Sequence, residues 1–220
     1  MDKSKWPGRA VLPVAIPGLK FIILFILLTG MLFYFGWMVI AWIFFCLTLF
    51  VCWFFRDPER EIPSGKNELV SPADGRVIII DKLAQSEYLS VPCQKVSIFM
   101  NVFNVHVNRI PLDGVIEKVQ YNPGKFVNAS FDKASIHNER NALIVKTDAG
   151  KKFVVVQIAG LIARRIVTCV KAGERIKKGD RYGMIQFGSR LDLYLPMDFD
   201  IAVTMGQKTK AGATVIGYMN

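Results

Sequence analysis

The run KFVVVQIAG, residues 152–160, sets the fold class. It packs Phe, three consecutive Val and an Ile into a few positions and ends on Gly160. A short β-branched run bounded by turn residues reads as a strand, since it is too brief for a helix and rich in residues that fit a pleated surface. Working outward, the same reading applies to ALIVKT (142–147), GVIEKVQY (114–121), KVSIFM (95–100) and GRVIII (75–80). Prolines and glycines recur between these runs, and no segment beyond residue 56 carries a long amphipathic helical repeat. The chain from 56 to 220 is therefore expected to be one mainly β domain, large enough for a real hydrophobic core.

A more specific signal lies at 170–189, VKAGERIKKGDRYGMIQFGS. Its G-E-x-I-K-K-G-D turn followed by a strand resembles the hammerhead turn of lipoyl- and biotinyl-type domains. That likeness implies a β-sandwich of the barrel-sandwich-hybrid kind and concerns fold only. The tight hairpin that carries the modified lysine in those domains is not found in this sequence.

Upstream, residues 21–55 hold no charged side chain in 35 positions. A signal peptide has a shorter apolar region and a small-residue cleavage site, whereas this run ends in the bulky CWFFRDPER. One straight helix of that length would measure roughly 52 Å, against a hydrocarbon core of about 30 Å. Two shorter helices broken near Gly30–Gly36 fit better, as an N-terminal α-helical membrane hairpin; a single tilted span is the alternative. Lys3, Lys5, Arg9 and Lys20 precede the run, and Arg56, Arg60 and Lys66 follow it. Basic residues near both ends favour a cytoplasmic location for both, with Trp53 and Arg56 at the interface. The expected organisation is a basic tail (1–20), a membrane anchor (21–55) and a β domain (56–220) on the cytoplasmic face of the cell membrane.

The formal net charge is +10, with +3 on residues 1–20 and +7 on 56–220. Such a balance draws a protein towards anionic lipid or nucleic acid. With an apolar anchor and no basic cluster interleaved with aromatics, lipid is the expected partner and nucleic acid is not. Cys46, Cys52, Cys93 and Cys169 show no C-x-x-C spacing, so neither a disulfide framework nor a zinc site is expected.

Histidine occurs only at 106 and 137. A zinc peptidase needs about three histidine or carboxylate ligands around an open position, which two scattered histidines do not supply, and no metal is expected. A serine hydrolase needs a G-x-S-x-G elbow, and QFGSRLD lacks it. What remains is FGS at 187–189, an unremarkable loop tripeptide by itself.

Its company gives it meaning. FFRDPER (54–60), SPADGRV (71–77), HVNRIPLDG (106–114), NERN (138–141) and GDRYGMIQFGS (179–189) occur in this order. Together they resemble the short prokaryotic form of phosphatidylserine decarboxylase, and the resemblance covers nearly the whole chain. It implies a proenzyme that cleaves itself non-hydrolytically between Gly188 and Ser189. The products would be a β chain, 1–188, and an α chain, 189–220, held together as a heterodimer. It further implies that Ser189 becomes a covalent pyruvoyl cofactor. That ketone would form a Schiff base with the amine of phosphatidylserine, in an anionic membrane, and take up electrons as CO₂ leaves.

By the same resemblance Asp74 matches an aspartate that activates the serine, and His106 a histidine at the pyruvoyl site. A second histidine of the long bacterial form is replaced here by Arg109, so the Asp-His-Ser triad of that form does not transfer whole. Arg109 could instead hold the substrate carboxylate or phosphate, or be a plain surface arginine. His137 could line the site or sit in a loop. Two further readings stand beside this one: decarboxylation of a serine ether lipid with the same head group, and a non-enzymatic membrane-anchored β-sandwich adaptor.

Overall fold

In the computed structural model the described residues are 13–124, 138–160, 165–186 and 189–220. The chain divides into two units, one ending at Glu59 and one beginning at Arg60.

In the first unit the uncharged run becomes two helices, α1 (Ile16–Tyr34) and α2 (Met38–Phe54). Pro17 lies in the first turn of α1, where a missing N–H leaves no bond unmade. The break falls at Phe35–Trp37. Gly36 adopts φ 75°, a left-handed conformation that costs a Cβ-free residue little. The N–H groups of Phe35, Gly36 and Trp37 donate back to the carbonyls of Met31, Phe33 and Leu32. The helices run antiparallel, with Phe21 stacked on Phe55, Phe25 on Phe44, and Phe33 edge-on to Trp42. Midway, the Thr29 and Thr48 hydroxyls hydrogen-bond at 3.1 Å. At the open end Ala15 N–H donates to Phe55 O, and Asp57 N–H to Pro13 O. With 19 and 17 residues, the helices measure roughly 28 and 25 Å. α1 is long and apolar enough to cross a membrane, and α2 is a shorter apolar helix. Leu24, Leu27, Trp42 and Leu49 are exposed on their outer surface.

The second unit is mainly β. Its strands are numbered in chain order. Across the largest sheet they lie as β13 (Lys208–Thr209), β2 (Gly75–Leu83), β3 (Cys93–Met100), β11 (Ser189–Pro196), β7 (Lys152–Ala159), β6 (Arg140–Lys146), β5 (Gly114–Asn122) and β9 (Arg175–Ile176). One small sheet orders β1 (Glu68–Val70), β14 (Val215–Met219) and β12 (Phe199–Ile201); another orders β4 (Val107–Arg109), β10 (Arg181–Gln186) and β8 (Arg165–Thr168). The pairings are antiparallel.

Alternation along the strands separates two apolar clusters. Val96, Ile98 and Met100 of β3 and Leu191, Leu193 and Leu195 of β11 enter the main core with Leu69, Ile110, Tyr182, Phe199 and Ile216, so all three sheets contribute to it. The opposite face of the large sheet carries Val154, Val156, Ile158 and Tyr194, covered by Tyr88 and Leu89. β7 is thus covered on both faces, which is why Phe153–Val156 is apolar without a break. Arg190, fully buried on that second face, pairs through Nε and Nη2 with Asp192 at 2.8 and 3.0 Å. The G-E-x-I-K-K-G-D stretch forms two tight turns; in the second, Lys177 N–H donates to the Asp180 carboxylate at 3.0 Å and Asp180 N–H to Lys177 O.

Candidate active site

Ser189 opens β11, the strand between β3 and β7, opposite Met100 on one side and Ala159 on the other. It is fully buried. Among the described residues its hydroxyl donates to the Met100 thioether, 3.4 Å away, and sulfur is a weak acceptor. The result is a hydroxyl stripped of water whose proton is loosely held. Gly188 and His137 lie outside the described residues.

Sheet register brings Asp74 to the same place. β2 pairs Arg76 with Phe99, while β11 pairs Ser189 with Met100. The starts of β2 and β11 therefore flank the same end of β3, and Asp74 immediately precedes β2. Its carboxylate accepts from Arg60 at 2.9 Å and from Ala211 N–H at 2.7 Å. Arg60 is the last residue of FFRDPER, so the first and second sequence motifs meet at this ion pair.

β3 leads through a turn at Asn101–Asn104 into His106, which is fully buried. His106 Nδ1 lies 2.9 Å from Asn104 O. A carbonyl can only accept, so Nδ1 carries a proton and, in the neutral ring, Nε2 has the lone pair.

Arg109 is not on the surface: it is 5% exposed. Its Nη1 donates to Gly179 O at 3.0 Å, and its backbone N–H to Pro72 O at 2.9 Å. One residue thus ties HVNRIPLDG to SPADG and to the KKGD turn. NERN also arrives here, because the Asn138 amide donates at 2.7 Å to the carbonyl of Ala159, the neighbour of Ser189 across the sheet.

Several residues around Ser189 escaped sequence reasoning. Asn108 Nδ2 contacts the same Met100 sulfur at 3.8 Å. Asn108 Oδ1 accepts from Gln157 Nε2 at 2.8 Å. Gln157 Oε1 accepts from Thr168 Oγ1 at 3.0 Å and from Asn141 Nδ2 at 3.3 Å. The available signal was a single glutamine inside the otherwise apolar FVVVQIA. Beside this cluster Gly183 is obligatory, since a Cβ there would lie 2.6 Å from Val167 O and 2.8 Å from Gln157 Nε2. Cys169 follows Thr168, and burial, with help from Glu174, pushes its thiol up to about 12, so it is no nucleophile near neutral pH. Among the described residues no group of three metal-ligating side chains occurs.

This arrangement of motifs has counterparts in known proteins. Residues 47–217 match the family model described as phosphatidylserine decarboxylase. The chain is 53% identical over 207 residues to the phosphatidylserine decarboxylase proenzyme of Syntrophus aciditrophicus, covering 93% of this chain and 96% of that one. It is 51% identical over 186 residues to the proenzyme of Ralstonia pickettii, with 84% and 85% covered. For that of Syntrophotalea carbinolica the identity is 46% over 207 residues, with 94% and 97% covered.

The chain belongs to the phosphatidylserine decarboxylase family. Membership makes it an enzyme of the decarboxylase class and leaves no place for the adaptor reading. The matched region runs from within α2 to within β14, so it takes in Ser189, Asp74, His106 and the amide cluster alike.

Proposed function

We propose that this chain decarboxylates phosphatidylserine to phosphatidylethanolamine at a membrane surface, after cutting itself between Gly188 and Ser189. The observation that carries the reading is the buried Ser189 hydroxyl, resting on a thioether at the end of β3 that the start of β2, just after Asp74, also flanks.

Self-cleavage begins when Ser189 Oγ adds to the carbonyl carbon of Gly188 and the amide nitrogen leaves, giving an ester. Loss of the Ser189 Cα proton then expels the Gly188 carboxylate and leaves dehydroalanine at 189. Tautomerisation and hydrolysis release ammonia and leave a pyruvoyl group at the head of the α chain. The surroundings fit such a group. Met100, Ala159 and the Asn108 amide are neutral, and a small uncharged carbonyl compound replaces a small uncharged side chain. Once formed, it supplies an electron sink for decarboxylation of an amine-bearing head group.

The chain's own residues do the rest. His106, as the imidazolium with a proton on each nitrogen, delivers the Nε2 proton to the carbon left when CO₂ departs, with Nδ1 anchored on Asn104 O. Asp74 serves maturation, held as a carboxylate by Arg60 and Ala211 N–H. Arg109, clamped on Gly179, contributes to head-group binding indirectly by fixing the segment that carries His106, and His137 is a proposed head-group contact. α1 and α2 form the membrane anchor, with both ends on the cytoplasmic side.

Intact-mass analysis of the purified full chain tests this reading. Two chains are expected, the smaller with a blocked N-terminus, while Ser189→Ala stays uncut and inactive because a methyl group cannot attack. A wild-type protein that is intact yet fully active would overturn it.

A further inference from the structure

We infer that Asn108 is a further residue of the self-cleavage site. Its carboxamide NH₂ meets the negative charge that develops beside Ser189, and Gln157 sets its direction. The inference rests on the Gly188–Ser189 cleavage proposed above.

The hydrogen-bond polarity leaves little choice. Thr168 Oγ1 and Asn141 Nδ2 both donate to Gln157 Oε1, at 3.0 and 3.3 Å. Gln157 must then present Nε2 to Asn108, and it does so at 2.8 Å. Asn108 answers with its carbonyl, which turns its NH₂ the other way. A flipped Asn108 would set two donors against each other. Among the described residues, the NH₂ so directed reaches a thioether alone, Met100 Sδ at 3.8 Å, which the Ser189 hydroxyl shares at 3.4 Å. Asn108 and Gln157 are fully buried, so water does not make up the difference. A buried donor without a good acceptor costs stability. The arrangement has a use if an acceptor arises there during the reaction.

Such an acceptor arises in the first step. As Ser189 Oγ loses its proton and adds to the Gly188 carbonyl, negative charge builds on oxygen next to the serine. A preorganised donor in a dry site stabilises that charge far more than it would in water. Gln157, Asn141 and Thr168 are positioning residues, since they touch neither reacting atom and act through Asn108. They also span the two sheets: Asn108 and Thr168 belong to the β4-β10-β8 sheet, and Gln157 and Asn141 to the large one.

The test follows cleavage itself by pulse-chase labelling of the full chain, resolving uncut from cut protein on gels. Asn108→Leu keeps the branched shape and removes the donor. It is expected to slow cleavage by about 10²–10³-fold, the usual cost of losing one such donor. Gln157→Glu leaves Asn108 in place and still accepts from Thr168 and Asn141. It also offers Asn108 an acceptor, so Asn108 turns its NH₂ away from Ser189 and cleavage slows on the same scale. Folding is checked by circular dichroism and thermal melting. A role confined to holding the sheets together would lower the melting temperature without slowing cleavage in folded Gln157→Glu. Wild-type cleavage rates in either folded variant overturn the inference. Wild-type protein that never cleaves overturns the underlying proposal instead.

Discussion

At the residue scale, the proposed function divides labour between Asp74 and His106, 32 positions apart in the chain. His106 is buried with one nitrogen fixed on Asn104 O, an arrangement suited to passing a proton from the other. General acid catalysis of this kind contributes about 10²–10⁴-fold. His106→Ala is therefore expected to mature normally and to lose kcat on that scale, measured on protein first shown by gel to be cleaved. Normal maturation with wild-type kcat would make the histidine structural. Asp74→Asn is expected to do the reverse and accumulate uncleaved chain, because the charge held by Arg60 and Ala211 N–H is gone. Rapid cleavage of that variant would remove Asp74 from maturation.

At the element scale, β11 decides whether cleavage can be survived. It starts at the proposed cut, pairs with β3 over its whole length and with β7 over six residues, and is buried almost throughout. β12, β13 and β14 follow it in the same short piece, and they pair with β14, β2 and β1. The 32 residues of the proposed α chain, 189–220, are thus woven into two sheets, so that the piece would need no covalent tie. The two pieces are expected to co-elute in native gel filtration and to separate only in denaturant. Leu193 stands fully buried in the middle of β11. Leu193→Ala should cost about 2–5 kcal/mol and lower the denaturant midpoint at which the pieces part. An unchanged midpoint would show that β11 packing does not hold the α chain.

At the scale of the whole molecule, the apolar hairpin is the proposed membrane anchor. The strand-rich unit begins at Arg60, and the 35-residue uncharged run precedes it as two short helices. With both ends of that hairpin on one side, tags at the N- and C-termini should be protected or exposed together in sealed vesicles. Accessibility of the two termini from opposite sides would replace the hairpin by a single crossing.

The sequence by itself determined the strand content, the apolar run and the family motifs, because each is a local pattern: β-branched runs between turns, 35 uncharged positions, short ordered words. It also singled out Ser189, Asp74 and His106, whose residue types announce their chemistry. The tertiary structure alone decided which motifs meet. Register on β3 put Asp74 and Ser189 at one end, and burial took Arg109 off the surface to clamp Gly179. The amide cluster was invisible beforehand for a physical reason. Asn108, Asn141, Gln157 and Thr168 lie on four strands and two sheets, and each is an ordinary polar residue until the fold removes water and forces a direction on its hydrogen bonds.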